Sequence, residues 1–158
     1  MPRKKTCDAA EQYCSYLVKI LDWTPSYSLH LETNTLLFNG PYWDHWSLDI
    51  QGEFLAPKKV AGKQVKVCFL ASREMDEALL NPDNYKVKPK SLGGLSSRGK
   101  DSDYLGSLPY SAFGHTLNML QAEKYKYVAF HGKVLRYGKA DIKSFYFIYD
   151  YEPDDYID

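Results

Sequence analysis

The sequence predicts a mainly β or α+β fold: a curved antiparallel or barrel-like sheet of about six strands, with one short helix after a long loop. Three observations predict it. Aromatic residues are abundant, with 14 Tyr, 7 Phe and 3 Trp in 158 residues, and such side chains fit the half-buried pleated surface of a strand. Apolar residues recur at every second position through several short segments, the period of a strand with one face on a core. Glycine, proline and asparagine punctuate those segments as turn residues do. A chain of this length buries roughly 70% of the surface it exposes when unfolded, so residues 1–158 read as a single domain.

The opening residues 1–10 read as a flexible basic N-terminus carrying Arg3, Lys4 and Lys5. Tyr16, Val18 and Ile20 then alternate with Leu17, Lys19 and Leu21, apolar on both faces, and residues 9–21 read equally as strand or helix. Pro25 is expected to end that element. Leu29, Leu31 and Thr33 oppose Ser28, His30 and Glu32 in a half-buried strand pattern, with a bulge or turn at Thr33 to Thr35 before Leu36, Leu37 and Phe38. After the Asn39-Gly40-Pro41 turn, Trp46, Leu48 and Ile50 share one parity while His45, Ser47, Asp49 and Gln51 share the other. Gly52 offers a bulge position within that strand. The turn from Pro57 to Lys63 leads to Val65, Val67 and Phe69, and the two strands make a hairpin.

Ser72 to Leu80 suggests a short helical turn stopped before Pro82. Residues 86–107 hold Pro89, four glycines, five serines and five basic residues without apolar periodicity, and read as a long basic loop. The one firm helix spans Tyr110 to Glu123, with Phe113, Leu117 and Leu120 on one face and Ser111 as N-cap. Tyr127 to Tyr137 and Ala140 to Tyr151 form a hairpin around Gly138-Lys139, taken as a type II′ turn. That turn pairs Phe130 with Phe147, Val128 with Tyr149 and Arg136 with Asp141. Phe145 to Tyr149 is apolar on both faces, as expected of a strand with neighbours on both sides, and residues 152–158 form an acidic tail.

Twenty basic and twenty acidic residues give zero net charge, so the whole molecule exerts no long-range pull on nucleic acid or an anionic membrane. Any electrostatic footprint is local. No apolar stretch approaches the roughly 18 residues of a membrane span, and no apolar run of signal length follows the basic opening. The expectation is a cytoplasmic protein that does not engage membranes, with Cys7, Cys14 and Cys68 as reduced thiols.

Motifs of chemistry are missing: there is no GxSxG elbow, no GxGxxG and no GxxxxGK[ST], which argues against a cofactor. His30, His45, His115 and His131 are scattered, and the nearest cluster, Asp44, His45 and Asp49, divides between two strand faces, so no metal is expected. Glu32, Asp49 and Glu53 on neighbouring strands leave a hydrolase with a spatially assembled carboxylate site as one alternative. A single-stranded nucleic-acid-binding β module is the other, since such modules set aromatic platforms in a basic groove. The leading expectation is a non-enzymatic binding protein whose partner is another protein. Its contacts are expected at an aromatic-rich β surface with Tyr42, Trp43 and His45, and at the basic loop with Lys86, Lys88, Arg98 and Lys100, bounded by Tyr104 and Tyr110.

Overall fold

The computed structural model describes residues 12–32, 40–84 and 88–156. The expectations for residues 1–10, for Thr33 to Phe38 and for Lys86 lie outside the described residues. Seven strands form one sheet: β1 (Tyr13–Leu31), β2 (Tyr42–Ala56), β3 (Gln64–Ser72), β4 (Gly93–Arg98), β5 (Asp101–Pro109), β6 (Tyr127–Lys133) and β7 (Lys139–Ile148). Their order is β1-β2-β3-β5-β4-β7-β6, and β6 pairs back to β1, which closes the sheet into a ring. Two helices, α1 (Arg73–Leu80) and α2 (Tyr110–Gln121), and two short 3-10 turns complete the described chain.

The segment left open between helix and strand is a strand, and it runs straight through Pro25 to Leu31. The reason lies in a bulge. Register shifts between Ile20 and Asp22, so Leu21 is the extra residue opposite the Gly52–Gln51 step of β2. Before the bulge the even residues Tyr16 and Val18 are buried, and the Ile20 N–H donates to the Lys126 carbonyl beside β6. Beyond it the odd residues Trp23, Tyr27 and Leu31 share the inward side with Ile50, Trp46 and Tyr42. At the far end the Glu32 N–H donates to Pro41 of the β2 side. Counting back by twos, the even amides of this stretch point at β2 and the odd ones point away. Pro25 is odd, so its missing N–H removes no ladder bond, the circumstance in which a strand tolerates proline.

Residues expected to form one long loop form a hairpin instead. β4 and β5 pair antiparallel from Gly93↔Gly106 to Arg98↔Asp101. Within it Tyr104 fills the ring interior at 1% exposure, and glycines 93 and 106 make the room. A methyl at Gly106 would overlap the Tyr104 hydroxyl, and one at Gly93 would stand 2.6 Å from it. The sheet is also not wholly antiparallel, because β3 and β5 run parallel from Lys66↔Asp103 to Ser72↔Pro109. Parallel neighbours need a crossover, and α1 lies on the path between them. The helical turn expected after Ser72 is this helix, and Ser72 caps it by accepting the Met75 N–H at 3.2 Å.

The β6–β7 hairpin turns one residue earlier than expected. Tyr137 and Gly138 both have positive φ, 52° and 74°, and Arg136 bridges Lys139. Positive φ at both central positions makes the turn type I′. The resulting register pairs Phe130 with Phe145 and Val128 with Phe147. This is a slip of two, so the side chains from Tyr127 to His131 and from Ser144 to Ile148 keep their expected faces. Gly132 then meets Ile142 past a bulge at Lys143, where a methyl on Gly132 would collide with the Asp141 carbonyl. β7 lies between β4 and β6 as its two-sided apolarity requires.

The ring interior is packed with rings. Phe69 lies 4.9 Å from Phe145, 5.4 Å from Tyr104 and 5.5 Å from Phe147, and Tyr104 lies 4.4 Å from Phe130. Each fully buried large apolar side chain contributes about 1.5–3 kcal/mol. Phe113, Leu117 and Leu120 of α2 join this core near Trp23 and Trp46. That helix begins at Tyr110 with Pro109 in the cap position, and Ser111 does not cap it but donates its hydroxyl to Asp76 of α1 at 2.6 Å. A second cluster of Leu17, Ala56 and Ala129 lies outside the ring under Tyr151 and Tyr156. The acidic tail is therefore anchored by its tyrosines while Glu152, Asp154 and Asp155 stay exposed.

Candidate binding surfaces

The described site residues separate into four places. Tyr42, Trp43 and His45 lie on a two-stranded ribbon, because β6 covers β1 only from Tyr13 to Lys19 and β3 covers β2 only from Ser47 to Glu53. Beyond those limits β1 and β2 pair only with each other among the described residues. A ribbon of two strands is marginal by itself, and this one is held at a carboxylate. Asp44 accepts the Tyr110 hydroxyl at 2.6 Å and the Arg73 guanidinium at 3.0 Å, and Arg73 lies 3.8 Å over the Tyr110 ring. The Tyr110 hydroxyl first, and Arg73 second, hold the Asp44 carboxyl below its ordinary range, and the same bond raises the Tyr110 hydroxyl. Tyr110 thus ties α2 to the ribbon.

The ribbon's two faces differ. On one, Tyr27 pairs with Trp46 at 4.5 Å between rings, Leu29 faces Asp44 and Leu31 faces Tyr42. Four apolar side chains on this face are open to solvent, Tyr27 at 49%, Leu29 at 62%, Leu31 at 68% and Tyr42 at 68%. On the other face, Trp43 stacks on His30 at 4.0 Å and His45 lies opposite Ser28. Along the outer edge of β1 the odd backbone groups of Tyr27, Leu29 and Leu31 have no neighbouring strand among the described residues. Leu29 and Leu31 were expected to be half-buried, and they are mostly exposed because the ribbon extends past the ring.

Arg98 and Lys100 lie at the other end of the ring, in the β4–β5 turn. The pairing of β4 with β7 places that turn beside Tyr137-Gly138, with the Ser97 N–H donating to the Gly138 carbonyl at 2.9 Å. Arg136 and Lys139, neither of them among the expected contact residues, join Arg98 and Lys100 there. The lysines of the Pro57 to Lys63 turn lie at the same end, since β3 starts level with β5. Zero net charge conceals this concentration. Tyr104 belongs to the core and offers no surface, which corrects its assignment as a contact residue. Lys88 stands on the rim of an apolar groove of about 470 Å³ formed by Met75, Leu79, Pro82, Pro89, Leu92 and Phe145.

The carboxylates of the hydrolase alternative do not converge. Asp49 and Glu53 point to one face of β2 four residues apart, roughly 13 Å along a strand, and Glu32 lies beyond Thr24, the partner of Asp49, near the ribbon's far end. Paired catalytic carboxylates stand within about 5–9.5 Å. Asp49 interacts instead with Cys68, whose thiol burial pushes up to about 11 with the Asp49 contact adding to it. Among the described residues no three His, Cys, Asp or Glu side chains gather as a metal would need, and no helix is long and apolar enough to cross a membrane. Compared with known family models, with curated proteins and with solved structures, the chain matches none.

Proposed function

We propose that this is a non-enzymatic binding protein whose partner, another protein, docks on the β1–β2 ribbon. One observation carries the reading: an apolar stripe of Tyr27, Leu29, Leu31 and Tyr42 lies exposed alongside a strand edge whose backbone groups have no pair among the described residues. An edge of this kind accepts an extended segment by strand addition, in which backbone bonds give affinity and alternate side chains give specificity. Aromatic anchors such as Tyr42 and Trp43 suit the centre of such an interface. Pro25 interrupts the edge and confines pairing to Tyr27–Leu31, as prolines on edges do. A cytoplasmic setting suits the thiols of Cys14 and Cys68.

The test is affinity capture from nuclease-treated host lysate, identification of what is retained, and reconstitution with the purified candidate. Leu29→Pro removes an outward amide and leaves the β2 ladder intact, and Tyr42→Ser and Leu31→Ser remove exposed apolar surface. All three are expected to weaken the purified complex at least tenfold. A partner held equally by all three variants does not use the ribbon, and the reading fails.

A further inference from the structure

We infer that the end of the ring bearing the β4–β5 and β6–β7 turns is a second binding surface, and that its ligand is single-stranded nucleic acid. Arg98, Lys100, Arg136 and Lys139 are all exposed there, and none of the four forms an ion pair among the described residues. A cleft of about 260 Å³ lined by Gln12, Lys133, Arg136, Lys139 and Asp141 opens beside them. Lys133 stands 3.8 Å from Asp141. The acids of these two hairpins, Asp101, Asp103 and Asp141, are outnumbered by the cations.

Tyr137 distinguishes this surface from a merely basic one. Its side chain is 99% exposed, on a backbone at φ 52° that non-glycine residues rarely adopt. A large ring held wholly in water on an unfavourable backbone does nothing for the core. Next to Arg136 in the chain and followed by Gly138, which Arg98 approaches, it has the position of a stacking platform with phosphate contacts nearby, the combination by which proteins hold unpaired strands without reading sequence. A duplex buries its base faces and offers the ring nothing to stack on. An acidic polypeptide would satisfy the cations and leave the ring without a role.

The test is fluorescence anisotropy of the full chain with labelled 15-nucleotide U-rich RNA and T-rich DNA at several salt concentrations, with a duplex and poly-glutamate as competitors. Four phosphate contacts at a single-strand slope of about −0.7 each predict a logarithmic salt slope of about −3. Tyr137→Asn keeps a residue that tolerates this backbone, and is expected to weaken binding about tenfold with the slope unchanged. Arg136→Ser with Lys139→Ser is expected to reduce the slope by about 1.4. Leu29→Pro, at the opposite end, is expected to leave binding unchanged, so this surface and the ribbon fail or stand separately. No binding at 50 mM salt, full affinity in Tyr137→Asn, or equal competition by duplex or poly-glutamate overturns the inference.

Discussion

Replacing Tyr104 by phenylalanine is expected to stabilise the protein. The Tyr104 side chain is buried in the ring, and its hydroxyl, pressed against Gly93 and Gly106, has no hydrogen-bond partner among the described residues. Burial alone makes it a weaker acid than an ordinary tyrosine, with no bond to offset that shift. Leaving a buried donor unpaired costs about 1–3 kcal/mol. Phenylalanine keeps the contacts with Phe69 and Phe130 and discards that cost, so a net gain of about 1–2 kcal/mol is expected. For a chain of this size each kcal/mol moves the melting temperature by about 2–4 °C, which places the variant roughly 2–8 °C above the parent. Urea unfolding followed by fluorescence measures the change as a higher midpoint at unchanged slope. A loss of 1 kcal/mol or more would refute the reasoning, because it would mean that the hydroxyl is satisfied and useful where it lies.

Other outcomes follow from the same geometry. The Asp44 carboxyl is depressed by Tyr110 and Arg73, so the stability it contributes is present above the ordinary carboxylate range and lost as pH falls through its lower folded value. Tryptophan fluorescence and near-ultraviolet circular dichroism, reporting Trp46 and Trp43, should show the ribbon loosening in that acid window. Asp44→Asn should move the parent's transition out of that window. Tyr110 is raised, so its donor bond persists through neutral pH and is lost only as pH rises through a folded value above the usual tyrosine range. Cys68, at about 11, is almost wholly protonated at pH 8, and since the thiolate is the reactive form it should alkylate far more slowly than a model thiol under the same conditions. Mass spectrometry of the iodoacetamide adducts decides this, and rapid labelling of Cys68 would contradict it.

Much of the fold was legible because β2 and β3 each keep one parity on the core, from Trp46 to Ile50 and from Val65 to Phe69. What stayed hidden has local physical causes. The Leu21 bulge switches the inward face of β1 from even to odd, so Tyr16 and Leu29 read as different elements although one strand carries both. β4 and β5 were obscured because the interior beside Tyr104 is filled by alternating a large ring with glycines, which erases apolar periodicity. The β6–β7 turn was displaced because tyrosine, a poor candidate for positive φ, occupies its first central position. Of the candidate contacts, Tyr42 and Trp43 were visible as aromatics beside a turn. Arg136 and Lys139 were not, because they meet Arg98 and Lys100 only through the pairing of β4 with β7.

The central claim, an open edge on β1 that receives a partner, is tested most directly by residue-resolved amide hydrogen exchange across Ser26–Leu31, in the protein alone and with its captured partner. The account predicts slow exchange at Ser28 and His30 in the protein alone, because their amides face β2. It predicts rapid exchange at Tyr27, Leu29 and Leu31, and slowing at those three when the partner binds. Equal protection of all five amides in the isolated protein, or no change at the odd three in the complex, would contradict it.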